Sequence, residues 1–144
     1  MNASIWLRYP AQHPDGPGSR PVPVALYALS NGLLRPNLQL GDCSNLAVAR
    51  GWRPVQEFWD VGPRPGDVRV DLGEQWARAL KQAECGLVKG LVVHRLQAVV
   101  LDPAGLRRLE DWASDFNTFI HFFHAEPFGS AHHQIGRVPQ KVGA

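Results

Sequence analysis

Residues 102–124 read DPAGLRRLEDWASDFNTFIHFFH, and the conformation of this stretch decides the fold. Asp102 can accept from the first free backbone N–H groups of a helix, and Pro103, with its preset φ and no N–H, suits the first helical position. Leu106, Leu109, Ala113, Phe116, Ile120 and Phe123 then recur at three- and four-residue intervals, and Trp112 and Phe119 widen the same apolar arc. Arg107, Arg108, Glu110, Asp111, Ser114 and Asp115 fall outside it. Glu126-Pro127 with Gly129 ends the run, because proline cannot continue a helix. The spacing predicts one amphipathic helix over 103–124, its apolar side against the core and its histidines at the end.

Working back from this stretch, residues 87–101 (LVKGLVVHRLQAVVL) are rich in valine and leucine and carry Gly90, which predicts a buried, central strand. Residues 73–85 (GEQWARALKQAEC) have helical spacing: Trp76, Leu80 and Ala83 share a face, Glu74 and Arg78 are an i,i+4 pair, and Gly86 stands where a left-handed cap belongs. Residues 67–72 (DVRVDL) alternate as a half-solvated strand does, so a right-handed parallel crossover through the 73–85 helix is possible.

The earlier half is less regular. Residues 22–29 (VPVALYAL) predict a strand, and Ser30-Asn31-Gly32 supplies the residues of a hairpin turn, from which 33–40 would return antiparallel, with Pro36 confining it to an edge. In 41–66, Asp42 could cap a short helix over 44–50 stopped by Gly51, and Pro54 could open a turn carrying Val55, Phe58 and Trp59. Residues 4–9 (SIWLRY) suit a short strand, and the proline-rich 10–21 segment reads as a surface loop able to act as a contact or lid.

Together these readings predict a single α+β domain over 1–126: a mixed, mostly antiparallel sheet of four to five strands with two main helices, 73–85 and 103–124, packed on one face. Residues 127–144 form a basic C-terminal tail with few apolar anchors.

Composition sets the outer bounds. A chain of 144 residues, 44% hydrophobic, suits one core. There is no apolar run of membrane-spanning length and no signal-peptide pattern at the N-terminus, so a soluble, cytoplasmic protein is expected. Cys43 and Cys85 make neither a disulfide scaffold nor a Cys-x-x-Cys metal site. A net charge of +2, with basic residues scattered and only Arg107-Arg108 adjacent, argues against a dedicated nucleic-acid binder.

The one chemical concentration is histidine: His121, His124, His132 and His133 are four of the six in the chain. On a helix, His121 and His124 would lie about 60° apart and could approach one ion, with a tail histidine as third ligand and an open position for water. The spacing lacks both HExxH and a Cys/His finger pattern, and a solvated helix end explains the same residues without a metal. No P-loop, Rossmann glycine fingerprint or Gly-x-Ser-x-Gly occurs, no catalytic residue can be assigned, and the sequence leaves any cofactor unknown.

Aromatic residues offer a rival site. Trp52, Arg53, Phe58 and Trp59 lie in the irregular middle, and Phe122 and Phe128 stand outside the main apolar arc. These are residue types enriched in contact hot spots. The leading expectation is therefore a small protein-interaction module, such as an inhibitor, an immunity-type protein or an accessory subunit, that binds another protein through loops and exposed aromatic and arginine residues. The alternative is a metal-dependent hydrolase built on the C-terminal histidines.

Overall fold

The computed structural model of the chain describes residues 6–7, 21–62 and 72–125. Along the chain run β1 (Trp6–Leu7), β2 (Val22–Ser30), α1 (Asn37–Ala49), β3 (Trp52–Val61), α2 (Glu74–Glu84), β4 (Gly90–Arg95), a 3-10 turn (Leu96–Ala98), α3 (Pro103–Asp115) and β5 (Phe119–His124). Among the described residues they form one sheet in the order β1-β5-β4-β2-β3. Pairings of β2 with β3, β2 with β4 and β4 with β5 are all parallel, and the two residues of β1 add a short antiparallel edge to β5.

The domain is thus α/β with a four-stranded parallel core, and the expected α+β architecture with a mostly antiparallel sheet is wrong. The reason lies at β2. A strand has two edges, and those of β2 are taken by β3 and β4. No edge is left for an antiparallel return by residues 33–40, and the chain instead leaves the sheet at Ser30 and enters α1 at Asn37. Ser30-Asn31-Gly32 is the opening of a strand-to-helix loop, not a hairpin turn.

The two expected helices do pack on one face, but a third helix covers the other. Successive side chains of a strand point to opposite faces. Val24, Leu26 and Ala28 of β2 pack with Leu40, Cys43 and Ala47 of α1. Ala25 and Tyr27 pack with Trp76, Ala79 and Ala83 of α2, and the same cluster takes in Leu106, Leu109 and Ala113 of α3. So α1 covers one face and α2 with α3 the other. The chain first steps from β2 outward to β3, then returns across β2 to β4 and moves on to β5. Right-handed crossovers running in opposite directions put their helices on opposite faces, which is the doubly wound arrangement.

The 103–124 helix is corrected in its second half. Its start stands: the Asp102 carboxylate accepts from the Gly105 backbone N–H at 2.7 Å, with Pro103 in the first turn. It ends at Asp115. Asn117 has a positive φ of 51°, and the Thr118 N–H returns to the Ala113 carbonyl at 2.9 Å, closing the helix with a left-handed residue. Phe119–His124 then runs as a strand parallel to β4. Phe119 packs on the α1 side while Ile120 and Phe122 pack on the other, so both faces are apolar and the run has no period of two to give it away.

Helix α2 lies where residues 73–85 were expected to be helical, and Gly86 has the left-handed φ of 81°. Its N-terminus is capped from outside: Asp60, near the end of β3, accepts from the backbone N–H groups of Gln75 and Trp76 at 3.0 Å each and from the hydroxyl of the fully buried Tyr27 at 2.8 Å. Residues 52–61 are an edge strand, not the expected turn. Pro54, which cannot donate, is tolerated there, and the register slips by one residue just beyond it, so that Val55 is bulged out between Pro54 and Gln56. The helix expected at 44–50 is present, starts earlier at Asn37, and is stopped by Gly51 at φ 81°.

Of the strand expected at 67–72, residues 67–71 lie outside the described residues, as do the 10–20 part of the proline-rich loop and the 127–144 tail. No described helix is long and apolar enough to cross a membrane.

Candidate functional site

In an open parallel sheet, ligands bind outside the carboxyl ends of the strands, where neighbouring connections leave for opposite faces. Here that point lies between β2 and β4. β2 ends at Ser30 and β4 at Arg95, and β5 ends beside them at His124. A cavity of about 250 Å³ opens at this place. Leu29 and Ala98 give it an apolar base, the amides of Asn31, Gln39 and Gln97 supply neutral polar groups, and His94 and Arg95 supply the ionisable ones.

His94 is the best ordered of these groups by its contacts. Burial takes nine-tenths of its side chain from water, and its Nε2 lies 3.2 Å from Oδ2 of Asp42 on α1. Its ring stacks on Phe123 with centroids 5.3 Å apart and meets the edge of the His124 ring at 5.1 Å. Burial lowers the His94 pKa below its ordinary value; the hydrogen bond to Asp42 opposes this, and the charges of His124 and Arg95 add to the lowering. A neutral His94 donates Nε2–H to Asp42 and keeps Nδ1 as a hydrogen-bond acceptor. The pair resembles in chemistry an imidazole held in one tautomer by a carboxylate, an arrangement able to accept a proton from a bound group. Arg95 is exposed, and among the described residues no carboxylate is paired with it.

Next to this cavity is the β2–α1 loop, which lines a groove of about 580 Å³ and shares Asn31 and Gln39 with the cavity. The Ser30 hydroxyl lies 2.8 Å from the Gly32 carbonyl and 2.7 Å from that of Leu34, and accepts from the Gly32 N–H at 3.2 Å. At the far end, Arg35 bonds Asn37 and forms an ion pair with Glu57 of β3. Between these fastenings Leu33, Leu34 and, on the first turn of α1, Leu38 are 84%, 82% and 83% exposed.

The residues singled out from sequence are distributed differently. His121 is fully buried, its ring edge-on to Trp52 with centroids 5.7 Å apart, and burial, aided by the charge of Arg50, lowers its pKa to about 3. With β5 extended, His121 and His124 are roughly 10 Å apart along the strand and no longer share a face as they would on a helix. No group of three or more metal-ligating side chains occurs among the described residues, and His132 and His133 lie outside them. Trp52, Phe58 and Phe122 are in the core; Trp59 is half-buried against the α1 side, Arg53 is exposed, and Phe128 lies outside the described residues.

Two residues that matter most here carried a weak signal. Asp42 reads as a helix cap and His94 as one polar residue closing a valine-rich strand. Only the parallel topology brings them together across 52 residues of chain. No protein-family model, curated protein or solved structure matches the chain.

Proposed function

We propose that the protein is a small interaction module that binds another protein through the β2–α1 loop. The observation that carries this reading is the display of Leu33, Leu34 and Leu38, each more than four-fifths exposed, on a loop fastened at both ends. Burying a leucine is worth about 1.5–3 kcal/mol, so three held in water form a reserve of association energy. A loop already fixed by Ser30 and by the Arg35–Glu57 pair loses little conformational freedom on binding. Because the charge of Arg35 is already matched, the complement is an apolar segment of the partner and not an acidic one. The aromatic residues expected to make this contact are mostly replaced in that role by leucines, since Trp52, Phe58 and Phe122 serve the interior.

A photo-crosslinking residue in place of Leu34, with another at exposed Arg78 as control, tests the reading in cells of the native host. The expected result is a discrete protein adduct at Leu34, absent at Arg78 and lost when Leu33 and Leu38 are changed to serine. Equal labelling at the two positions, or no adduct at Leu34, overturns it. No observation favours the hydrolase alternative, since the helical face that would have joined His121 to His124 is a strand.

A further inference from the structure

The cavity between the ends of β2 and β4 has a separate set of contacts, and its chemistry specifies a ligand. We propose that it binds a small metabolite carrying an oxyanion and a hydroxyl group, with Arg95 holding the oxyanion and His94 accepting from the hydroxyl. Four features lead there.

The cavity stands at the topological switch point, where the loops after β2 and β4 diverge and leave a crevice between them that is open among the described residues. Its volume of about 250 Å³ is at or below the small end of ligand pockets, which fits a compact metabolite and not a nucleotide. Arg95 lines the cavity, no carboxylate among the described residues is paired with it, and the planar fork of a guanidinium suits a carboxylate or phosphate.

The fourth feature is the His94–Asp42 contact. Asp42 accepts the hydrogen bond from Nε2–H of the neutral ring, which leaves Nδ1 as an acceptor that a donor on the ligand would satisfy. A bare oxyanion would meet Arg95 but give His94 nothing. The amides of Asn31, Gln39 and Gln97 can serve either group, and Leu29 with Ala98 accommodates a short carbon skeleton.

The test uses the full chain and isothermal titration with lactate, malate and glycerol 1-phosphate, alongside propionate, succinate and propyl phosphate, which lack the alcohol hydroxyl. At least one hydroxylated probe is expected to bind with a Kd below about 1 mM and about tenfold more tightly than its counterpart without the hydroxyl. Whether the hydroxy acids or the phosphate ester bind separates the two sources of oxyanion. Arg95→Gln, at an exposed position, is expected to weaken that binding about tenfold, while Arg53→Gln on the β3 edge leaves it unchanged. His94→Phe keeps a ring against Phe123 and is expected to erase the margin between the probe and its counterpart.

Absence of binding by all probes, or binding that Arg95→Gln leaves within about twofold, overturns the proposal. Should His94→Phe not fold, the Arg95→Gln result decides alone. The crosslinking at Leu34 uses no ligand, so failure here and failure of the loop reading are distinguishable.

Discussion

Gly90 on β4 and Phe119 on β5 are partners across the parallel ladder, and the Phe119 ring occupies the space a side chain at position 90 would need. The aromatic ring also lies tilted against Trp52, with centroids 4.7 Å apart, so it has little room to withdraw. Gly90→Ala is therefore expected to destabilise the fold by about 1–3 kcal/mol, the usual cost of overpacking. Urea denaturation checks it against Gly32→Ala, where a methyl meets open space and little change is expected.

Asp60 unites β3, Tyr27 and the start of α2 through three accepted hydrogen bonds. Asp60→Ala strips two backbone donors of their cap and leaves the hydroxyl of a fully buried tyrosine without that acceptor. A loss of about 2–4 kcal/mol is expected from the cap and the hydroxyl together. Asp60→Asn, which keeps one acceptor oxygen, should lose less. Thermal unfolding followed by circular dichroism ranks the two.

His121 gives the stability a dependence on acid. Its folded pKa of about 3 lies below the ordinary 6.5, so below pH 6.5 the unfolded chain binds the proton that the folded chain refuses. The contribution of neutral His121 is complete above pH 6.5 and is lost as the pH falls from there towards 3. His94, also lowered by burial, acts in the same sense starting from the same value. His121→Leu should flatten the decline in urea midpoint between pH 6.5 and 4 relative to the unmodified chain; an unchanged slope would exclude His121 as its source.

The two cysteines should differ sharply in reactivity. Cys43 is buried on α1 and its thiol pKa is pushed far up by burial and by neighbouring Asp42, whereas Cys85 is exposed at the end of α2. A thiol reagent should modify one equivalent rapidly in the folded protein and the second only on denaturation. Rapid release of two equivalents under native conditions would contradict the packing of α1.

Replacing Leu33, Leu34 and Leu38 by serine touches little buried surface, so the unfolding free energy should move by less than about 0.5 kcal/mol for each substitution. Loss of the crosslinked adduct without loss of stability would then be attributable to contact rather than to folding.

Where the sequence carried a local chemical instruction, it could be read. The Asp102-Pro103 start of α3, the amphipathic face of α2, Gly51 and Gly86 as helix stops, and the apolar run of β2 all follow from residues within a turn or two of one another. The misread places depended on distant partners. Phe119–His124 is buried on both sides, and such a strand shows the same unbroken apolar run as an interior helix. Phe116 happened to extend the helical spacing of α3, yet it is the exposed cap residue. In α1 the apolar residues do not keep to one side, since Leu40 is buried and Leu38 exposed, and no side chain caps its N-terminus. The His94–Asp42 pair was hidden for a related reason: neither residue is unusual until the strand order is known.

The strand order also determines what the chain can survive losing. Every parallel neighbour in this sheet is reached only by way of an intervening helix, so no pair of core strands can form as a free-standing local unit. β2 alone joins β3 to β4, and it is the first core strand to be made. A cut or deletion between Val22 and Ser30 would therefore leave two fragments of sheet on either side of a vacant central row, with α1 and α2 facing each other across nothing, even though most of the hydrophobic residues remained in the chain.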